Sequence, residues 1–171
     1  LFAGACPRSL EKDRRVKDYN GFTSQQRNRA QRWLNAQWAG GSLARPNVCR
    51  ACGQTEPPID AHAEDYSEPF KVGVTDGYHL CFVCHMMVHC RANNPRVWER
   101  YCEMIAKGGR PKWREGRSFP KFQERFLRGG ITPGQFTFHA PPTLQVLRVI
   151  ELSQDQVAKG ARPIGFPEAK R

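Results

Sequence analysis

The sequence predicts an α+β chain: short extended segments leading into one helix, held by four cysteines and flanked by basic helical arms. Three observations predict it. The first is cysteine spacing: of seven cysteines, four form two C-x-x-C pairs, Cys49/Cys52 and Cys81/Cys84. The second is a change of period along the chain, from helical spacing on both flanks to short, turn-punctuated pieces between them. The third is charge. Residues 1–48 carry nine Lys/Arg against three Asp/Glu, residues 49–90 two against six, and residues 91–171 sixteen against seven. The net charge of +11 is therefore two basic arms around an acidic, Cys/His-rich centre. Such a distribution suits a polyanionic partner gripped from both sides. The expected divisions are an N-terminal arm over 1–48, a core over 49–92 and a C-terminal region over 93–171.

In the first arm Thr23 or Ser24 is a good N-cap for a helix running to Ala39 and stopping at Gly40-Gly41. Ala30, Trp33, Leu34 and Trp38 fall near helical spacing, while Arg27, Arg29 and Arg32 form a basic face. In the core, Pro57-Pro58, Pro69 and Asp76-Gly77 punctuate short extended pieces, and a helix starts near Cys81. Asn94 and Pro95 open a second helix with Val97, Trp98, Tyr101, Met104 and Ile105 on one face and Gly108-Gly109 past its end. A third, short helix is expected from Ser118 to about Arg128, burying Phe122, Phe126 and Leu127. Residues 131–142 read as a Pro-punctuated loop, and the apolar run Leu144 to Leu152 fits strand or helix equally.

Four thiolates in two tight turns are what tetrahedral zinc requires. A closed four-sulfur site has no open position for water, so the expected role of this Zn²⁺ is structural. The odd cysteine count argues against a disulfide scaffold, and Cys6, Cys90 and Cys102 read as ordinary thiols. His62, His79, His85 and His89 lie within or after the intervening loop. His85 and His89 are at i, i+4 on the expected helix and can share one metal. A three-imidazole set of His62, His85 and His89 leaves coordination positions open, the mark of a reactive metal rather than a structural one.

The run Cys49-x-x-Cys52 … Ala61-His62-Ala63-Glu64-Asp65-Tyr66-Ser67-x-Pro69 … Leu80-Cys81-x-x-Cys84-His85-x-x-x-His89 resembles the HNH (ββα-metal) endonucleases. It is most similar to the zinc-stapled subgroup with H-H-x-D-Y-S-x-P followed by L-C-x-x-C-H-x-x-x-H. The resemblance covers about residues 49–91, roughly a quarter of the chain. It implies a β-hairpin and one helix around a single divalent cation, Mg²⁺ or Mn²⁺, held by His62, His85 and His89. The family's second motif histidine, the general base, falls at Ala63, which cannot accept a proton. Two readings follow: a degenerate, binding-only fold, or an inactivated variant of a parent with histidine there. Survival of every metal and zinc ligand favours the second. The group that orients the base falls at Asp76 or His79.

By resemblance, restoring the base gives metal-assisted hydrolysis of DNA phosphodiester bonds, leaving 5′-phosphate and 3′-hydroxyl ends. Arg50 and Arg91 are candidates for the scissile phosphate. Arg27, Arg29 and Arg32, with Arg110, Lys112, Trp113, Arg114 and Arg117, are candidates for the remaining DNA contacts. The length outside the motif points to a sequence- or modification-specific, restriction-type enzyme acting on double-stranded DNA as a homodimer. The alternatives are a non-catalytic zinc-dependent nucleic-acid-binding module and a non-specific nuclease toxin. No run approaches the ~18 apolar residues of a membrane span, and no signal peptide is visible, so a cytoplasmic location is expected.

Overall fold

A computed structural model describes residues 18–70 and 77–139. Asp76, Cys6, the run Leu144 to Leu152 and the C-terminal tail lie outside them. The architecture is α+β, with two separate two-stranded antiparallel sheets and four α-helices among the described residues.

Helix α1 (Ser24–Ala39) opens on a capping box in which the Gln26 amide donates to Thr23 Oγ1 and the Thr23 amide donates to Gln26 Oε1. It closes at Gly40, whose amide donates to Ala36 O. Strands β1 (Ile59–Ala63) and β2 (Gly77–Cys81) form a hairpin in which His62 faces Tyr78 across the ladder and Asp60 faces Leu80. Helix α2 (Phe82–Cys90) follows β2 without a loop. Alternation along β1 therefore decides the site. Asp60 and His62 look towards α2, whereas Ala61 and Ala63 look the other way, onto α1.

Helix α3 (Pro95–Ala106) begins at Asn94, as expected, but the Asn94 side chain makes no cap. Its Nδ2 donates instead to Cys90 O, tying α3 to the end of α2. The third expected helix begins as α4 (Phe119–Phe122) and continues as one π-helical segment over Gln123–Arg128, closed by the Gly129 amide on Glu124 O. The expected loop over 131–142 is not wholly loop. Phe136–Phe138 forms β4, which pairs with β3 (Gly109–Pro111). Strands of three residues are too short to display a period of two, so nothing local signals them.

The main core surrounds α2. Leu80, Val83, Met87 and Val88 meet Tyr101, Met104 and Ile105 of α3 and the rings of Phe122, Phe126 and Phe136. Phe82 stacks on Trp113 at 5.6 Å. A smaller cluster joins Ala30 and Leu34 of α1 to Ala63, with Trp33, Tyr66 and Phe70 around it. Val97 and Leu127, expected in the core, pack against the main cluster while half-exposed.

Gly109 starts β3 where the chain leaves α3, and a Cβ there would lie 2.6 Å from Met104 O and 3.1 Å from the Phe136 ring. Backbone cannot yield as a side-chain end can, so Gly109→Ala is expected to cost about 1–3 kcal/mol, read as a lower urea midpoint at unchanged m-value.

Candidate metal centres

Two groups that could hold a metal ion meet along α2. Cys49 and Cys52 sit in a tight turn closed by the Gly53 amide on Cys49 O, with Gly53 at φ +73°. Cys81 ends β2 and caps α2, and Cys84 lies in its first turn. All four side chains are buried, and one sulfur from each lies within 4.8 Å of the others. The Cys52 and Cys81 sulfurs are 3.9 Å apart. Sulfurs on a tetrahedral zinc at ~2.3 Å stand about 3.8 Å from one another, so the donor set and its spacing fit a structural zinc.

Three of the thiols are shifted unequally. Burial pushes Cys49 up, but hydrogen bonds from Cys52, Cys81 and Cys84 outweigh it and hold it well below the usual thiol range. Cys81 is pushed well above that range by its hydrogen bonds to Cys49 and Cys52, and Cys84 by burial. A bound dication would require all four in the thiolate form.

The second group is His62, His85 and His89. His62 comes from β1, and the other two from successive turns of α2. Ring centroids are 5.1 Å apart for His62–His85, 4.9 Å for His62–His89 and 4.7 Å for His85–His89. The Nε2 atoms of His85 and His89 are 3.0 Å apart, close to the roughly 3.4 Å between nitrogens sharing a tetrahedral ion at ~2.1 Å. Burial pulls His62 down to about 4 and takes His89 well below the usual imidazole range, so both stay neutral, the form a metal ligand needs.

Carboxylates orient two of the three rings. Asp60 Oδ2 lies 3.8 Å from His85 Nδ1, which leaves His85 Nε2 facing His89. Glu64 Oε1 lies 3.0 Å from His62 Nε2 and 3.0 Å from the Arg91 guanidinium, while Tyr19 donates to Oε2 at 2.8 Å. Burial alone would raise the Glu64 carboxyl, but His62, Arg91 and Tyr19 together hold it well below the carboxylate range. The Tyr19 ring closes the site from the N-terminal side, edge-on to His89 at 4.8 Å. The remaining side is open. His85 lines a cavity of about 680 Å³ together with Asn35, Trp38, Arg45, Asp60 and Arg117.

Several expected site residues fall elsewhere. Ala63 is fully buried between Ala30 and Leu34, on the face of β1 opposite His62. His79 pairs with Ala61 and so shares that α1-side face; it is absent from the histidine group. Arg91, expected at the phosphate, is buried, donating to Val88 O at 2.7 Å and pairing with Glu64, because two acceptors hold its guanidinium inward. Arg27 is half-buried, its charge acting on Tyr66 and His89, and Arg29 pairs with Glu68 at 3.0 Å. The expected basic face of α1 thus keeps Arg32 exposed but spends Arg29 on an ion pair. Arg50 is exposed on the cysteine turn, its amide bonded to His79 O. Arg110, Lys112, Trp113 and Arg114 line one cavity, and Arg117 lines the other while pairing with Asp60 at 2.6 Å.

The residues that sequence reasoning missed are Tyr19, Asp60, Glu64 and Arg45. Asp60, His62 and Glu64 stand at a spacing of two, which is a legible strand-face signal. Tyr19 and Arg45 carry no signal at all.

No family model, curated protein or solved structure matches this chain.

If the four sulfurs hold zinc, binding energy on the order of 10 kcal/mol feeds the fold. Strong chelation or Cys84→Ser is then expected to abolish the cooperative thermal transition, whereas Cys102→Ser leaves it in place; circular dichroism and zinc content check both.

Proposed function

We propose that this chain is an HNH-like, metal-dependent endonuclease fold acting on DNA phosphodiester bonds, restriction-type in its specificity and lacking its general base. The observation that carries the reading is the convergence of His62, His85 and His89, with His85 lining an open cavity, beside a closed four-cysteine cluster. A staple and an open three-imidazole centre on one helix are different tools, and only the second can face a substrate.

A divalent cation held by the three imidazoles would supply Lewis-acid stabilisation of charge on a phosphate. The chain's own residues do the rest. Glu64, at 3.0 Å from His62 Nε2, and Asp60, at 3.8 Å from His85 Nδ1, set carboxylates against two of the rings. Tyr19 packs edge-on against His89 on the buried side. Arg45, stacked over Trp38 at 5.0 Å, brings positive charge to the cavity wall, where Arg117 is paired with Asp60. What is missing is a proton acceptor for the attacking water, because Ala63 stands at the base position and is packed against α1. That burial favours a second reading, a zinc-dependent DNA-binding module without catalysis.

Two expected outcomes test the proposal. His89→Ala should remove one metal equivalent per chain while retaining the zinc, measured by elemental analysis after Mn²⁺ loading and desalting. Plasmid cleavage with Mg²⁺ or Mn²⁺ should be seen with the Ala63→His form and not with the chain as it stands, a general base contributing about 10²–10⁴-fold. Because position 63 is fully packed, the same substitution is expected to cost about 1–3 kcal/mol of stability. No cleavage by either form under either metal overturns the nuclease reading and leaves the binding module.

A further inference from the structure

A second cavity, of about 580 Å³, is lined by the residues that follow the cysteine turn and by the β3–β4 sheet and the segment after β3. Its walls include Gln54, Arg110, Lys112, Trp113, Arg114 and Thr137. Its volume falls within the usual range of ligand sites. The charge in it is largely unspent. Two acids line it: Glu115 pairs with Arg125 at 3.4 Å and accepts from the Arg114 amide, while Glu56 and the side chains of Arg110, Lys112 and Arg114 make no ion pair among the described residues. Lys112 Nζ reaches only Gly134 O, and Lys112 and Arg114 are exposed. The Arg110 guanidinium lies over Gly53, where a Cβ would approach Nη2 to 3.6 Å.

Two stretches of chain join this cavity to the histidine centre. Thr55 and Glu56 line it, whereas Pro57 through Asp60 line the cavity of His85. Likewise Trp113 to Glu115 line it, and Arg117 lines the other. From Glu56 to Asp60, which faces His85, an extended chain spans at most about 14 Å. At roughly 3.4 Å of helix rise per nucleotide of a strand, that is about four nucleotides.

We propose that this cavity is a second DNA subsite, taking the backbone of the strand that passes the histidine centre, with Lys112 and Arg114 on its phosphates. The proposal rests on the DNA reading above and adds where the strand runs. It is independent of whether the bond is cut.

The test is fluorescence anisotropy of a labelled 20-base-pair duplex without divalent cations, titrated with salt, for the chain and its Lys112→Gln/Arg114→Gln form. Each neutralised phosphate contributes about 0.9 to the slope of log K against log[salt], so the double substitution should flatten that slope by about two. Lys121→Gln, exposed and outside both cavities, should leave it unchanged. An unchanged slope in the double variant overturns the subsite, and cleavage by the Ala63→His form would then still leave the nuclease reading standing. A flattened slope with no cleavage does the reverse. Failure of the unsubstituted chain to bind the duplex overturns both.

Discussion

The interaction on which the rest depends is the meeting of four buried sulfurs at the junction of β2 and α2. Cys81 and Cys84 lie at the cap and in the first turn of α2, and Cys49 and Cys52 reach them from a turn far away in sequence. A tetrahedral ion held there would fix the start and the rotational phase of the helix. His85 is the residue after Cys84, and His89 is one turn on, so the phase set by sulfur decides where two imidazoles point. The main core is built on the other face of the same helix, with Val83, Met87 and Val88 meeting α3 and the phenylalanines. A helix of nine residues is too short to be stable by propensity alone and takes its stability from these contacts.

The histidine centre combines two environments usually kept apart. His62 and His89 are held neutral by burial, and His85 keeps a side open to a wide cavity. The buried charges close by are not left alone. Arg91 and Glu64 pair with each other, and Tyr19 and His62 complete the ring of partners. Removing one partner of such a pair leaves an uncompensated charge, which costs more than the pair itself contributes. Arg91 therefore acts as a support beneath the centre rather than as a hand reaching for substrate.

Much of this was legible because it is local. The capping box at Thr23, the proline at the start of α3, the apolar face of Trp98, Tyr101, Met104 and Ile105, and the i, i+4 histidines all depend on residues within one or two turns. The two short strands of the second sheet were not legible, since each is three residues long and its partner lies far along the chain. Tyr19 was missed because its role depends on a contact across 45 residues with Glu64. The basic residues were the least legible. Composition records Arg29, Arg91 and Arg117 as equal positive charges, whereas Glu68, Glu64 and Asp60 respectively occupy them.

By itself the sequence determined the candidate ligand sets and the helix that carries them, because cysteine spacing and helical periodicity are properties of neighbouring residues. It also determined that one face of β1 holds a histidine and the next position an alanine. Only the tertiary structure decided what each face meets: α2 and two further imidazoles for His62, α1 and a packed apolar cluster for Ala63. It likewise decided which cations remain open to a polyanion, since pairing depends on which carboxylates the fold brings within reach, and those lie tens of residues away.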